Sequence, residues 1–217
     1  MCGRYQVMDE EVNVEIKKII DEINRRHYGK EEEKKMTTGE VFPTNIAPVI
    51  SSDGPKPMRW GFPPVRNGLR AVINARQETA ATSPYFRDAL QRRRVVVPTS
   101  GFFEWNHDEK KKATDKYRFR LPGESVLYLA GIYSPFALEG NTVEECYSIL
   151  TTTANDGMIK TCNHDRMPIY LSVSEIETWL RDPKCISDIL RRPQPALEAN
   201  MVKQLNRPTH EQISMFN

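Results

Sequence analysis

From residue 46 onward the chain breaks into short β-like runs separated by proline and glycine, at 46–50, 58–62, 69–73, 95–97, 101–105, 117–121, 126–133 and 146–152. Runs of this length, rich in β-branched and aromatic residues and bounded by turn formers, pair as antiparallel strands rather than as βαβ crossover units. They predict a mainly antiparallel sheet or barrel-like core. Ahead of them, residues 3–7 read as a short strand, and Asp9 as the cap of a helix carrying Val12, Ile16, Ile19, Ile20 and Ile23 at helical spacing. Residues 84–94 read as a helix between strands. Late in the chain Ser174 is predicted to cap a helix over 175–181, with another at 184–191. The fold class is therefore α+β, a β core flanked by helices.

A chain of 217 residues, 39% of them hydrophobic, suits one domain with a sizeable core. We read 1–191 as that core and the proline-rich 192–197, with the polar residues after it, as a loose C-terminal tail ending at 217. No apolar run is long enough to span a bilayer, and no basic-then-apolar leader opens the chain. A cytoplasmic protein is expected, nucleoid-associated in a bacterium, with no membrane partner; a monomer is the default. Four cysteines, Cys2, Cys146, Cys162 and Cys185, show no C-x-x-C pairing, so neither a structural metal, nor a disulfide framework, nor a cofactor is expected. A net charge of only +2 makes no bulk case for nucleic-acid binding, which would have to come from a local patch. The charged run 30–35 and Lys110-Lys111-Lys112 read as solvated, and Arg87 with Arg92-Arg93-Arg94 as a basic surface or a charged helix end.

Four places carry residues with chemical potential. Met1-Cys2-Gly3-Arg4 is one methionine removal from a 1,2-aminothiol. Its amine (pKa ~7.7–8) can condense with an aldehyde to an imine, and its thiol (pKa ~8.5, lower beside positive charge) can close a thiazolidine with intramolecular advantage. The tetrapeptide alone fits a small buried hydrophobe equally well. In Gly101-Phe102-Phe103-Glu104-Trp105, alternation sets Glu104 on the Phe102 face. Desolvated there it becomes a general acid near neutral pH, the physics that raises the acid carboxyl of lysozyme in the standard example; exposed, it is an edge-strand glutamate. His164, in the polar loop Asn163-His164-Asp165-Arg166-Met167-Pro168, can shuttle protons or be incidental, and Cys162-x-His164 is too weak a spacing for a metal. Asn74-Ala75-Arg76 sends an amide and a guanidinium from one strand end.

Taken together these segments resemble the SRAP (SOS-response-associated peptidase) family, also called abasic-site processing proteins. The resemblance rests on Met1-Cys2-Gly3-Arg4, Arg59-Trp60-Gly61, Asn74-Ala75-Arg76-Gln77-Glu78-Thr79, Gly101-Phe102-Phe103-Glu104-Trp105 and His164-Asp165-Arg166-Met167-Pro168, in the family's order. Phe103 stands where many members have tyrosine. Residues after about 173 lie outside the motifs. The resemblance implies an SRAP-like fold and a partner, single-stranded DNA containing an abasic site, captured covalently through Cys2. It assigns Glu104 and His164 as acid/base residues that open the sugar hemiacetal, and Asn74 as the group holding the amine or sugar in line. Arg4, Arg76 and Arg166 resemble the family's phosphate-binding arginines. Trp60 and the Phe42-Pro43 pair are candidates to stack on, or wedge between, the flanking bases, with a core position as the other reading of Trp60. Two other functions remain in view: a cysteine (auto)peptidase with Cys2 as nucleophile and Glu104 or His164 as base, and a non-catalytic single-strand binding module.

Overall fold

The computed structural model describes residues 2–8, 13–64, 66, 69–107, 113–138 and 142–204. Asp9, Val12 and Lys110-Lys111-Lys112 lie outside the described residues.

Five strands close into a barrel: Ile46–Ser51, Gly54–Trp60, Val143–Thr153, Leu127–Ala137 and Arg94–Thr99. Each pairs with the next, and Arg94–Thr99 returns to Ile46–Ser51. All these pairings are antiparallel except Gly54–Trp60 with Val143–Thr153. Both faces of these strands are covered: Val49, Met58, Leu129 and Ile149 are enclosed on one, Val96 and Leu150 on the other. Arg166–Pro168, Asn74–Arg76 and Tyr170–Leu171 extend this sheet. A second sheet runs in the order Glu198–Gln204, Ala113–Arg120, Gly101–His107, Tyr5–Gln6, Glu40–Val41.

Helices cover the outside. In Val14–Arg26 the Asn13 side chain accepts from the Glu15 and Ile16 amides, both at 3.1 Å, and Ile16, Ile20 and Ile23 form the buried stripe. Arg87–Arg92 and Val173–Arg181 end against one buried guanidinium: Arg94 donates to the Leu90 carbonyl at 3.0 Å and to the Trp179 carbonyl. Orphan carbonyls of two helix C-termini are thereby satisfied by a single side chain.

Several sequence expectations need correction. Residues 69–73 form no strand; Val72 makes only an isolated bridge to Phe62, and regular pairing begins at Asn74. Ser172, not Ser174, caps the helix Val173–Arg181, because the Glu175 carboxylate reaches back to the Ser172 amide at 2.7 Å. The segment after 191 is not loose over its described part. Gln194 accepts from the Tyr170 amide at 2.8 Å, Asn155 donates to the Pro195 carbonyl at 2.8 Å, and Glu198–Gln204 pairs with Ala113–Arg120. Its polar composition hid an edge strand whose order comes from backbone pairing. Gly61 carries φ +112°, and a Cβ there would sit 2.9 Å from that of Ala71, so the turn that follows Trp60 needs glycine.

Candidate functional site

The site forms where the two sheets meet the chain's first residues. Tyr5–Gln6 pairs with Gly101–His107 on one side and Glu40–Val41 on the other, which carries Cys2 toward the barrel mouth. Asn74 opens the short strand Asn74–Arg76, lying parallel to Val143–Thr153 at Ile149, and its Nδ2 donates to the Cys2 carbonyl at 2.8 Å. The Asn74 Oδ1 is buried and accepts from no group among the described residues. Glu104 points inward from Gly101–His107, on the side of Phe102 as alternation requires, and is 3% exposed. His164 follows the helix Asp156–Cys162. Asn163 stops that helix in the left-handed region at φ +53°, which turns the chain so that His164 faces Glu104 before Arg166–Pro168 begins.

Cys2, Asn74, Glu104 and His164 thus come together from four separate parts of the chain. His164 Nε2 lies 3.3 Å from Glu104 Oε2. Burial pushes the Glu104 carboxyl up to about 7. Burial also moves His164 below the usual histidine range, with the chain's terminal ammonium and then His107 adding to the effect. Both directions favour neutral forms near neutral pH, so a protonated carboxyl faces an uncharged imidazole and one proton can be shared or handed over.

The thiol differs from expectation. Cys2 has no exposed surface, and burial, followed by the nearby Glu104 carboxyl, pushes its pKa well up rather than down. The Tyr5 and Tyr147 hydroxyls are bonded to each other nearby, and Tyr170 is buried in the same region, so the sulfur sits among neutral groups. No positive charge of the kind that makes a free thiolate dominates there.

The surface residues divide. Arg4 lies 3.4 Å above the Phe42 ring and 5.5 Å from that of Trp105, and pairs with Glu40 at 3.0 Å. Phe42 is 45% exposed, Pro43 is exposed beside it, and Arg76 is exposed one residue beyond Ala75. Two candidates for DNA contact are overturned. Trp60 is fully buried, edge-on to Tyr5 at 5.0 Å and donating from its indole to the Ile73 carbonyl at 3.1 Å, so it is a core tryptophan with no face for a base. Arg166 is buried and already committed, to both Glu78 oxygens at 2.6 and 2.9 Å and to the Thr151 carbonyl at 2.7 Å. A bidentate carboxylate holds its fork where a phosphate would have to bind.

Sequence reasoning missed Trp105 and Lys116 as members of this surface. The Lys116 ammonium lies 3.9 Å over Phe103 and 5.6 Å from Trp105, and it pairs with Glu40 at 2.6 Å. The signal was the same alternation that placed Glu104 inside, which puts Phe103 and Trp105 together on the opposite face.

Comparison with known proteins places the chain in a family. The family model described as SOS response associated peptidase (SRAP) matches residues 1–207. The chain is 32% identical over 227 aligned residues to the abasic site processing protein YoqW of Bacillus subtilis, covering 94% of this chain and 93% of that one. It is 34% identical over 125 residues to the abasic site processing protein YedK of Escherichia coli, covering 58% and 54%. A crystal structure of a protein from Bacteroides thetaiotaomicron shares the fold at TM-score 0.72 and 24% identity, over 93% of this chain and 92% of that one.

Proposed function

The chain belongs to the SOS response associated peptidase family, and from that premise we propose that it processes abasic sites in single-stranded DNA. In this reading it acts as a monomer and forms a covalent thiazolidine link through Cys2 once Met1 has been removed. The observation that supports it best is the convergence on Cys2: Asn74 anchors the Cys2 carbonyl at 2.8 Å, and a buried Glu104–His164 pair, 3.3 Å apart, sits beside its thiol.

The chemistry runs in four proton-balanced steps. The closed sugar opens as Glu104 and His164 move a proton from the anomeric hydroxyl to the ring oxygen, exposing the C1′ aldehyde. The Cys2 amine, held in line by the buried Asn74 Oδ1, adds to that carbon. Glu104, protonated near neutral pH, gives its proton to the departing hydroxyl, water leaves, and the nitrogen returns a proton to the Glu104 carboxylate as the neutral imine forms. The thiol then adds across the C=N bond, its proton passing to nitrogen, and the five-membered ring closes. No iminium remains to acidify the neighbouring carbon, so the strand is spared β-elimination.

The enclosed thiol favours this order over a peptidase mechanism. A cysteine protease needs a thiolate formed before attack, whereas here the amine attacks first and sulfur follows within the same residue. The reading requires removal of Met1 because the attacking group is the free α-amino group of Cys2. Phosphates would meet Arg4 and Arg76, and bases the Phe42, Pro43 and Trp105 surface.

The test is direct. Processed protein mixed with a single strand bearing one abasic site should give a slow-migrating species on a denaturing gel, with a mass equal to the sum of the two minus one water. Absence of that species with wild type, or its persistence in Cys2→Ala, would refute the reading.

A further inference from the structure

His107 belongs to none of the motifs above, yet its ring touches the site. Strict alternation along Gly101–His107 would place it with Phe103 and Trp105, on the face turned away from Glu104. The pairing with Ala113–Arg120 shifts register between Trp105 and His107, from Trp105 opposite Lys116 to His107 opposite Ala113. Such irregularities re-aim side chains, and they recur beside functional sites. At this one the exposed His107 ring meets the half-buried His164 ring edge to face, centroids 5.6 Å apart.

We propose that His107 is a positioning residue of the site, a second imidazole that holds His164 against Glu104 and, when protonated, keeps His164 uncharged. The proposal rests on the abasic-site reading only for its consequence to the reaction; the coupling between the two rings stands on their contact. His164 is built into a chain of groups with solvent at one end: Glu104 inside at 3.3 Å, His164, then the exposed His107. Protons taken up or released by the buried pair during hemiacetal opening and loss of water have their exit through that outer ring.

Around His164, Glu104 and His107 come from Gly101–His107, and Asp165 is its neighbour in the loop. Cys162 ends the preceding helix near Glu104, with Asp115 of the strand Ala113–Arg120 close to that thiol. Asp165, when ionised, favours imidazolium at His164, while the chain's terminal ammonium and, after it, His107 oppose it.

The experiment follows the His164 imidazole by NMR in full-length protein without DNA, and separately the pH–rate profile of crosslinking. His107→Phe keeps an aromatic edge and removes the charge; His107→Arg restores charge without the imidazole. In His107→Phe the His164 titration midpoint should rise by roughly half a unit, as loss of one like charge at this range predicts. The acid limb of the rate profile should move with it, and His107→Arg should return both toward wild type. A His164 midpoint unchanged in His107→Phe overturns the proposal, as does one equally displaced in His107→Arg. A wild type that forms no crosslink would count against the abasic-site reading, while the titration still decides the role of His107.

Discussion

Glu104 and His164 face each other at 3.3 Å, and burial displaces both toward their neutral forms. An ion pair would have moved them the other way, the acid down and the base up. Desolvation therefore outweighs mutual attraction here, as is common for partners withdrawn from water. Raising the Glu104 pKa from the ordinary 4.5 to about 7 also costs stability over a defined range. Between those values the native state keeps a proton that the unfolded chain has released, so stability falls as pH rises toward about 7 and is level above it. At about 1.4 kcal/mol per unit the loss approaches ~3 kcal/mol. Glu104→Gln lacks it. Urea unfolding should show the variant gaining on wild type from pH 4.5 to pH 8. A stability difference independent of pH would contradict the raised carboxyl.

Cys2→Ser separates the amine from the sulfur. The variant keeps the nucleophile that forms the imine but replaces the thiol with a hydroxyl, which closes a less stable ring. Its adduct should be scarce on a denaturing gel without reductant and abundant after borohydride trapping, whereas wild type should be insensitive to reductant. A tag left ahead of Cys2 should abolish both, because the nitrogen is then an amide. Equal crosslinking by tagged and processed protein would remove the amine from the mechanism.

Arg166 and Arg76 should part company. Arg166→Ala strips the buried fork from Glu78 and Thr151, which should destabilise the fold by about 2–3 kcal/mol, discounted because Glu78 is itself half exposed. Arg76→Ala, at an exposed position, should leave Tm within a degree or two. It should weaken single-strand binding and reduce the slope of log K against log salt by roughly 0.7, as loss of one phosphate contact does. The measurements are thermal melts and binding titrations at several salt concentrations. The opposite pattern would return Arg166 to the binding surface.

The four central residues were legible in sequence because each stands in a short contiguous motif, and because period-two alternation is enough to send Glu104 inward. What escaped depends on long-range pairing. Trp60 and Arg166 lie in motifs as conspicuous as that of Glu104, but only the fold shows that Trp60 backs onto Tyr5 and that Glu78, 88 residues from Arg166, takes up its guanidinium. Residues 198–202 carry no hydrophobic alternation, since an edge strand paired on one side and exposed at each of these positions needs none. His107 was silent for a similar reason: its direction is set by a register shift that alternation cannot foresee. The burial of Cys2 was likewise out of reach, because Tyr147 and Tyr170, which lie near the thiol, come from strands more than a hundred residues away.

Trp60 and Trp105 give the sharpest contrast between core and surface. Trp60→Ala removes a fully enclosed indole and the hydrogen bond it donates to the Ile73 carbonyl, and should cost about 3–5 kcal/mol in chemical denaturation. Trp105 is half-buried on the outward face, within 5.5 Å of Arg4 and 5.6 Å of the Lys116 ammonium. Trp105→Ala should change stability far less, since its loss opens no enclosed cavity. It should instead weaken affinity for single-stranded DNA by about 1–3 kcal/mol, the value of one base stacked on an aromatic ring, and do so nearly alike at low and high salt because no phosphate contact is lost. Fluorescence-anisotropy titrations of the two variants against the same oligonucleotide, beside their unfolding curves, measure both quantities. If Trp105→Ala bound as tightly as wild type, the strand would have to cross a different face of the sheet.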